Sequence, residues 1–240
     1  FGFTFALLFV ALVYLGLFGK IPIYAELTDI RNQTASIVYS VDNRMIGKYY
    51  LENRLTIDNE NISIHVKNAL VATEDSRFFE HEGLDYISMA RVMVKSLLLG
   101  DLSQGGGSTI SQQLAKNLYP RTKLGWFTLP VGKIKEIFVA ARLEKIYDKE
   151  EILALYLNTV PFGEDLYGIE VAANRFFNKS SSQLTLSEAA TLVGMLAANT
   201  AYNPDYIQSD HKKEEILFYS EWPKMALYLK KTPMNKVLCP

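Results

Sequence analysis

The sequence predicts a mainly α protein with a small β element, preceded by a membrane-spanning helix. Three observations carry this. The first eighteen residues, FGFTFALLFVALVYLGLF, hold no charge. From Ile62 onward, apolar residues recur at helical spacing. Only one stretch, near residues 36–51, combines β-prone residues with a turn signal.

Taken in order, residues 1–18 read as a transmembrane anchor. Eighteen helical residues rise about 27 Å, close to the ~30 Å hydrocarbon core. Lys20 follows at once. A cleaved signal sequence is the alternative, but the apolar run is long for one and no small-x-small site follows. Residues 19–60 form a connector containing a hairpin. Ser36 to Val41 and Met45 to Leu51 flank Asp42-Asn43 as the turn. Residues 61–206 are the expected helical domain, with helices over Val66–Phe79, Thr109–Leu118, Ile134–Tyr147, Lys149–Val160 and Leu186–Leu196. Asp148 with Glu151, and Thr185 with Glu188, have capping-box spacing. Residues 207–240 form an atypical tail without a clear period. A first residue of phenylalanine suggests that the chain begins inside a longer product.

The 240 residues are 49% hydrophobic, ample for a core, with a net charge of −1. No global field favours nucleic acid, so an anion site must be local. The single cysteine, Cys239, excludes an intrachain disulfide. His65, His81 and His211 are too widely spaced for a metal-ligand pattern, which sets metal hydrolases aside.

Four clusters could carry chemistry. The first is ATEDSRFFEHEG, residues 72–83. On a helix, Glu74, Phe78 and His81 would share one face. A carboxylate beside an aromatic suits acid–base work. Asp75 would hold the neighbouring backbone or Arg77. Alone, this cluster is no better than a helix end with solvated charges. The second is GGGSTISQQLAKN, residues 105–117. Glycines permit a tight turn, Ser108 is a suitable N-cap, and Thr109 opens a helix whose free N–H groups suit phosphate. Gln112, Gln113, Lys116 and Asn117 make a polar stripe suited to sugar hydroxyls and pyrophosphate. It is not the nucleotide P-loop, since no Gly-Lys-Ser/Thr follows. Third, Lys133 and Glu136 sit at i, i+3 on an otherwise apolar helix, where a carboxylate needs a partner or a function. The helix after Lys149 reads as packing. The fourth cluster, residues 162–204, reads as scaffold.

Together these residues resemble the family 51 glycosyltransferases, the peptidoglycan glycosyltransferases of bacteria. ATEDSRFFEHEG, GGSTISQQLAKN, KIKE, KEEILALYLN and LSEAATLVGML look like that family's five motifs, in order. The connector is similar to the front of class A penicillin-binding proteins. The resemblance implies a lysozyme-like helical head with a small membrane-dipping jaw. It implies lipid II and the nascent glycan chain as substrates, moenomycin-type inhibitors, and cell-wall synthesis proteins as partners. It places the catalytic domain on the extracytoplasmic side of the cytoplasmic membrane. Glu74 takes the general-base position and Glu136 the second glutamate position. Lys116 and Lys133 take positions that stabilise diphosphate. No cofactor is required, although a divalent cation (magnesium or manganese) assists some members.

The third motif usually has Arg-Lys, and here Gly132 occupies the arginine position. Arg121 or Lys123 is the expected replacement charge. Tyr86–Leu99 and Leu124–Val131 are apolar stretches suited to a jaw, or to ordinary core. Ser209-x-x-Lys212 matches a transpeptidase nucleophile pattern by chance, since no SxN or KTG follows. Two rival readings are a lysozyme-type glycan-cleaving enzyme and a non-catalytic scaffold of a wall-synthesis complex.

Overall fold

A computed structural model describes residues 2–30, 36–39, 41–42, 45–49, 53–99, 107–197 and 203. The tail at 207–240 and the glycines at 105–106 lie outside these. The chain divides into two units, Phe1–Arg31 with Arg77–Ile152, and Asn32–Ser76 with Leu153–Pro240.

The first unit opens with α1, Gly2–Tyr14. Its thirteen residues rise only about 20 Å. No helix among the described residues is long and apolar enough to cross a membrane. The helix is thus shorter than the expected eighteen residues, and Gly16 is the reason. It adopts φ +84° and donates to Val13 O at 3.0 Å, while Leu17 N reaches Leu12 O at 3.1 Å. That is a Schellman C-cap, which only a residue tolerant of left-handed backbone forms readily. The short helix α2, Tyr24–Thr28, follows.

Both helices rest on α6, Thr128–Ile146. Val13 is fully buried, and the rings of Tyr14 and Phe138 stand 5.0 Å apart. The connector is tied down by α6 and its cap. Lys135 Nζ donates to Phe18 O at 2.9 Å, Tyr147 OH to Leu27 O at 2.7 Å, and Arg142 to Pro22 O. Helix α6 starts six residues before the expected Ile134. Pro130 did not prevent this, because in a first turn its missing N–H costs no helical bond. The unit also holds α4, Tyr86–Leu99, and α5, Ile110–Leu118. Helix α5 packs on α6, burying Ile110, Leu114 and Ala115 on one side and Val139, Ala140 and Leu143 on the other. The next helix, α7, spans Lys149–Thr159 and begins in this unit.

In the second unit β1, Ser36–Tyr39, pairs antiparallel with β2, Met45–Tyr49, with Ser36 opposite Tyr49. A two-residue strand β3, Asn53–Arg54, runs parallel to β4, Leu166–Tyr167. The core forms where α3, Ile64–Glu74, packs on α9, Leu186–Ala197, with α8, Ile169–Phe177, beside α9. Both capping boxes form. Asp148 N donates to Glu151 and Glu151 N to Asp148, each at 2.8 Å. Thr185 N donates to Glu188 at 2.8 Å, with the reciprocal bond at 3.4 Å.

Asn158, on α7, clamps the chain entering α3. Its amide accepts from Ile57 N at 3.0 Å and donates to Ile57 O at 2.8 Å. Gly168 packs on it with φ +87°, where a Cβ would lie 3.0 Å from Asn158 O. Gly168→Ala therefore combines backbone strain with a close contact, and is expected to cost more than about 1 kcal/mol. Thermal unfolding of the two proteins checks this; an unchanged midpoint would show that the strand–helix junction relaxes freely.

Candidate functional site

In the first unit, the geometry is set by the start of α5. Its N-cap is Thr109, whose hydroxyl accepts from Gln112 N at 3.2 Å. The sequence reading put the cap one residue earlier, at Ser108. Thr109 wins because its hydroxyl also donates to Gly83 O at 2.7 Å, fixing the turn against the loop before α4. Ser108 is thereby left to accept from Lys133 Nζ at 2.6 Å.

Lys133 is one member of a charge cluster. Its ammonium lies 3.4 Å from Glu136 Oε2. Arg121 Nε donates to Glu136 Oε1 at 2.7 Å. Glu136 is nearly inaccessible, at 5% exposure, so its two cationic partners answer the need of a carboxylate on an apolar helix. Burial pushes the Lys133 ammonium below its ordinary value, Glu136 pulls it back, and the charges of Arg121 and Lys116 push it down again. Arg121 and Lys116 thus both lie within electrostatic reach of Lys133. Lys116 is exposed, in the last turn of α5, and Lys133 lies more than one turn inside α6. Positive charge here is carried by side chains. A cavity of about 380 Å³ opens beside the cluster, bordered by Arg121, Gly132 and Glu136 and, from the connector, by Lys20 and Glu26.

Of the polar stripe on α5, Gln112 is buried, with Nε2 3.4 Å from Gly83 O, while Gln113 and Asn117 are half-buried. Gln112 positions a loop where a solvent-facing ligand was expected. Sequence reasoning missed a second support of that loop. Lys149 donates to His81 O and to Glu144 at 2.9 Å, and stands 4.3 Å from the Phe78 ring centre. Ser111 also donates to Glu144. The available signal was a pair of opposite charges five residues apart, Glu144 and Lys149, where the helix after Lys149 reads only as packing.

Both apolar stretches proposed for a jaw carry exposed residues. On α4, Tyr86 is 71% exposed, with Ile87, Met89 and Val94 also outward. At the second, the turn Gly125–Phe127 leads into α6, and Trp126 is 86% and Leu129 65% exposed. Neither behaves as ordinary core at these positions.

In the second unit, Glu74 is half-buried and ends α3. The helix does not reach Phe79, because Asp75 leaves helical backbone at φ −154°, ψ 75° as the C-cap. Glu74, Phe78 and His81 therefore do not share a helix face; Phe78 starts a separate turn, Phe78–Glu80. The aromatic that senses Glu74 is Tyr156. Burial, and then the Glu74 carboxylate, push its phenol far above the ordinary range, so it stays protonated. Asp75 is buried, and Arg77 pairs with Glu80 at 2.8 Å and Asp85 at 3.5 Å.

The chain is mainly helical, with Arg121 and Lys133 paired to one buried carboxylate. The family model described as Transglycosylase matches residues 42–220, and the chain belongs to that family. It is 40% identical over 189 residues to penicillin-binding protein 1A of Escherichia coli K12, covering 78% of this chain and 21% of that protein. To penicillin-binding protein 1F of Bacillus subtilis it is 38% identical over 169 residues, 70% of this chain and 23% of the relative. A crystal structure of penicillin-binding protein 1A from Haemophilus influenzae aligns with 87% of this chain and 20% of its own, at 21% identity and a TM-score of 0.43. The chain spans about a fifth to a quarter of the length of these relatives.

Proposed function

We propose that the chain is a peptidoglycan glycosyltransferase, polymerising lipid II into β-1,4-linked glycan strands with inversion and release of undecaprenyl pyrophosphate. Residues 61–206 form its catalytic domain. The observation that carries this reading is the cation cluster around Glu136 in a member of the transglycosylase family. An inverting displacement needs a base for the nucleophile and neutralisation of the leaving group. Glu74 removes the proton of the acceptor sugar's 4-hydroxyl. That oxygen attacks the anomeric carbon of the lipid-linked chain, and the bond to diphosphate breaks. Lys116, Arg121 and Lys133 meet the charge that develops on the departing diphosphate. Glu136 holds Arg121 and Lys133 in place, and Ser108 orients Lys133. Gln113, Asn117 and His81 contribute contacts to the substrate. Among the described residues no group of three His, Cys, Asp or Glu side chains could hold a metal ion.

The substrate's polyprenyl tail keeps the reaction at a bilayer. The exposed apolar residues of α4, of Trp126–Leu129 and of α1 are the surface we assign to the membrane. We read the uncharged run at residues 1–18 as part of a single-pass anchor with the domain outside the cytoplasm. Protease access on intact spheroplasts tests that side.

A lysozyme-type enzyme has no use for three clustered cations, and a scaffold has no use for a half-buried Glu74 beside a protonated phenol. Pure lipid II in detergent separates the readings. The expected product is polymeric glycan with loss of lipid II. Consumption of preformed glycan with lipid II untouched would establish the lytic reading, and inertness toward both would establish the scaffold.

A further inference from the structure

Gly132 lies inside α6 and is buried, with ordinary helical backbone. Glycine is disfavoured there relative to alanine, so conformation does not explain it. Packing does. A Cβ at 132 would lie 2.7 Å from both Cγ and Cδ of Arg121, and 2.9 Å from Nε. These are the atoms that carry the guanidinium across the helix. One turn further along the same face is Glu136, which Arg121 Nε reaches at 2.7 Å. Any side chain at 132 must therefore displace the middle of Arg121, the part of the side chain that carries the guanidinium to that bond.

We propose that Gly132 is a positioning residue: its bare Cα is the seat that lays Arg121 across α6 and holds the guanidinium at Glu136, facing the cavity. The cation at this point of the site comes from residue 121, and a larger residue at 132 cannot be added to it. The identity of the ligand rests on the function proposed above; the seat does not.

A double-mutant cycle of Gly132→Ala and Arg121→Ala in the full chain tests it. Two quantities are read: affinity for inorganic pyrophosphate and the midpoint of thermal unfolding. Gly132→Ala alone should weaken pyrophosphate about tenfold, close to the loss caused by Arg121→Ala. In the Arg121→Ala background it should change affinity less than about twofold and raise the unfolding midpoint, since alanine favours the helix. An equal loss in both backgrounds, or none in either, overturns the seat. If the parent chain binds no pyrophosphate, the diphosphate reading fails. The seat is then decided by the midpoints: coupling between the substitutions supports it, and additivity removes it.

Discussion

Glu74→Gln is expected to lose about 10²–10⁴-fold in the rate of lipid II polymerisation, the usual contribution of a positioned general base. Glutamine keeps the size and hydrogen-bonding reach of the side chain but cannot take the acceptor's proton. The variant should fold normally, because Glu74 is half-buried at the end of α3 and no core side chain changes. Moenomycin binding should be retained, since the cations assigned to phosphate lie on other elements. Asp75→Asn is the paired control. Asp75 is the buried C-cap of α3, so its loss should lower the unfolding midpoint while leaving more activity than Glu74→Gln. Near-parental turnover by Glu74→Gln would refute the assignment and move Glu136 to the front.

Lys116→Met and Lys133→Met should each cost roughly 10²–10³-fold in rate, the scale for removing one group that stabilises developing charge. Moenomycin affinity should fall with them. Unchanged affinity in both variants would remove the diphosphate site from this cluster. Lys133 also predicts a pH dependence. Burial, assisted by Arg121 and Lys116, holds its ammonium below the ordinary lysine value. The group is charged below that depressed value and neutral above it. Anion affinity should therefore decline as pH rises through it, sooner than an ordinary lysine would allow. Lys133→Arg, charged throughout, should carry the decline to higher pH. An identical profile for the two proteins would place the titration on another group.

Much of the site was legible because its signals are local. Five short motifs in order identify the family, and two capping boxes mark where α7 and α9 begin. The pairing of Glu136 was foreseeable from a carboxylate on an apolar helix. Other features depended on distant chain. Val66–Phe79 has continuous helical spacing, yet the helix stops at Asp75, since spacing does not report where a C-cap leaves the helical region. Thr109 displaced Ser108 as N-cap because Gly83, 26 residues away, offered its hydroxyl a second bond. Gln112 resembles a solvent-facing ligand and is buried for the same reason.

What the sequence determined by itself is the family, the mainly helical class, the caps of α7 and α9, and the presence of residue types suited to acid–base and phosphate chemistry. All of these follow from contacts within a few residues, where chain connectivity brings the groups together. What only the tertiary structure decided is how those residues are used. Arg121 reaches Glu136 only because Gly132 leaves room, Tyr156 senses Glu74 from another helix, and Lys149 crosses to the loop at His81. Such pairings are set by which helix faces pack together, and packing is a property of the whole core rather than of any window of sequence.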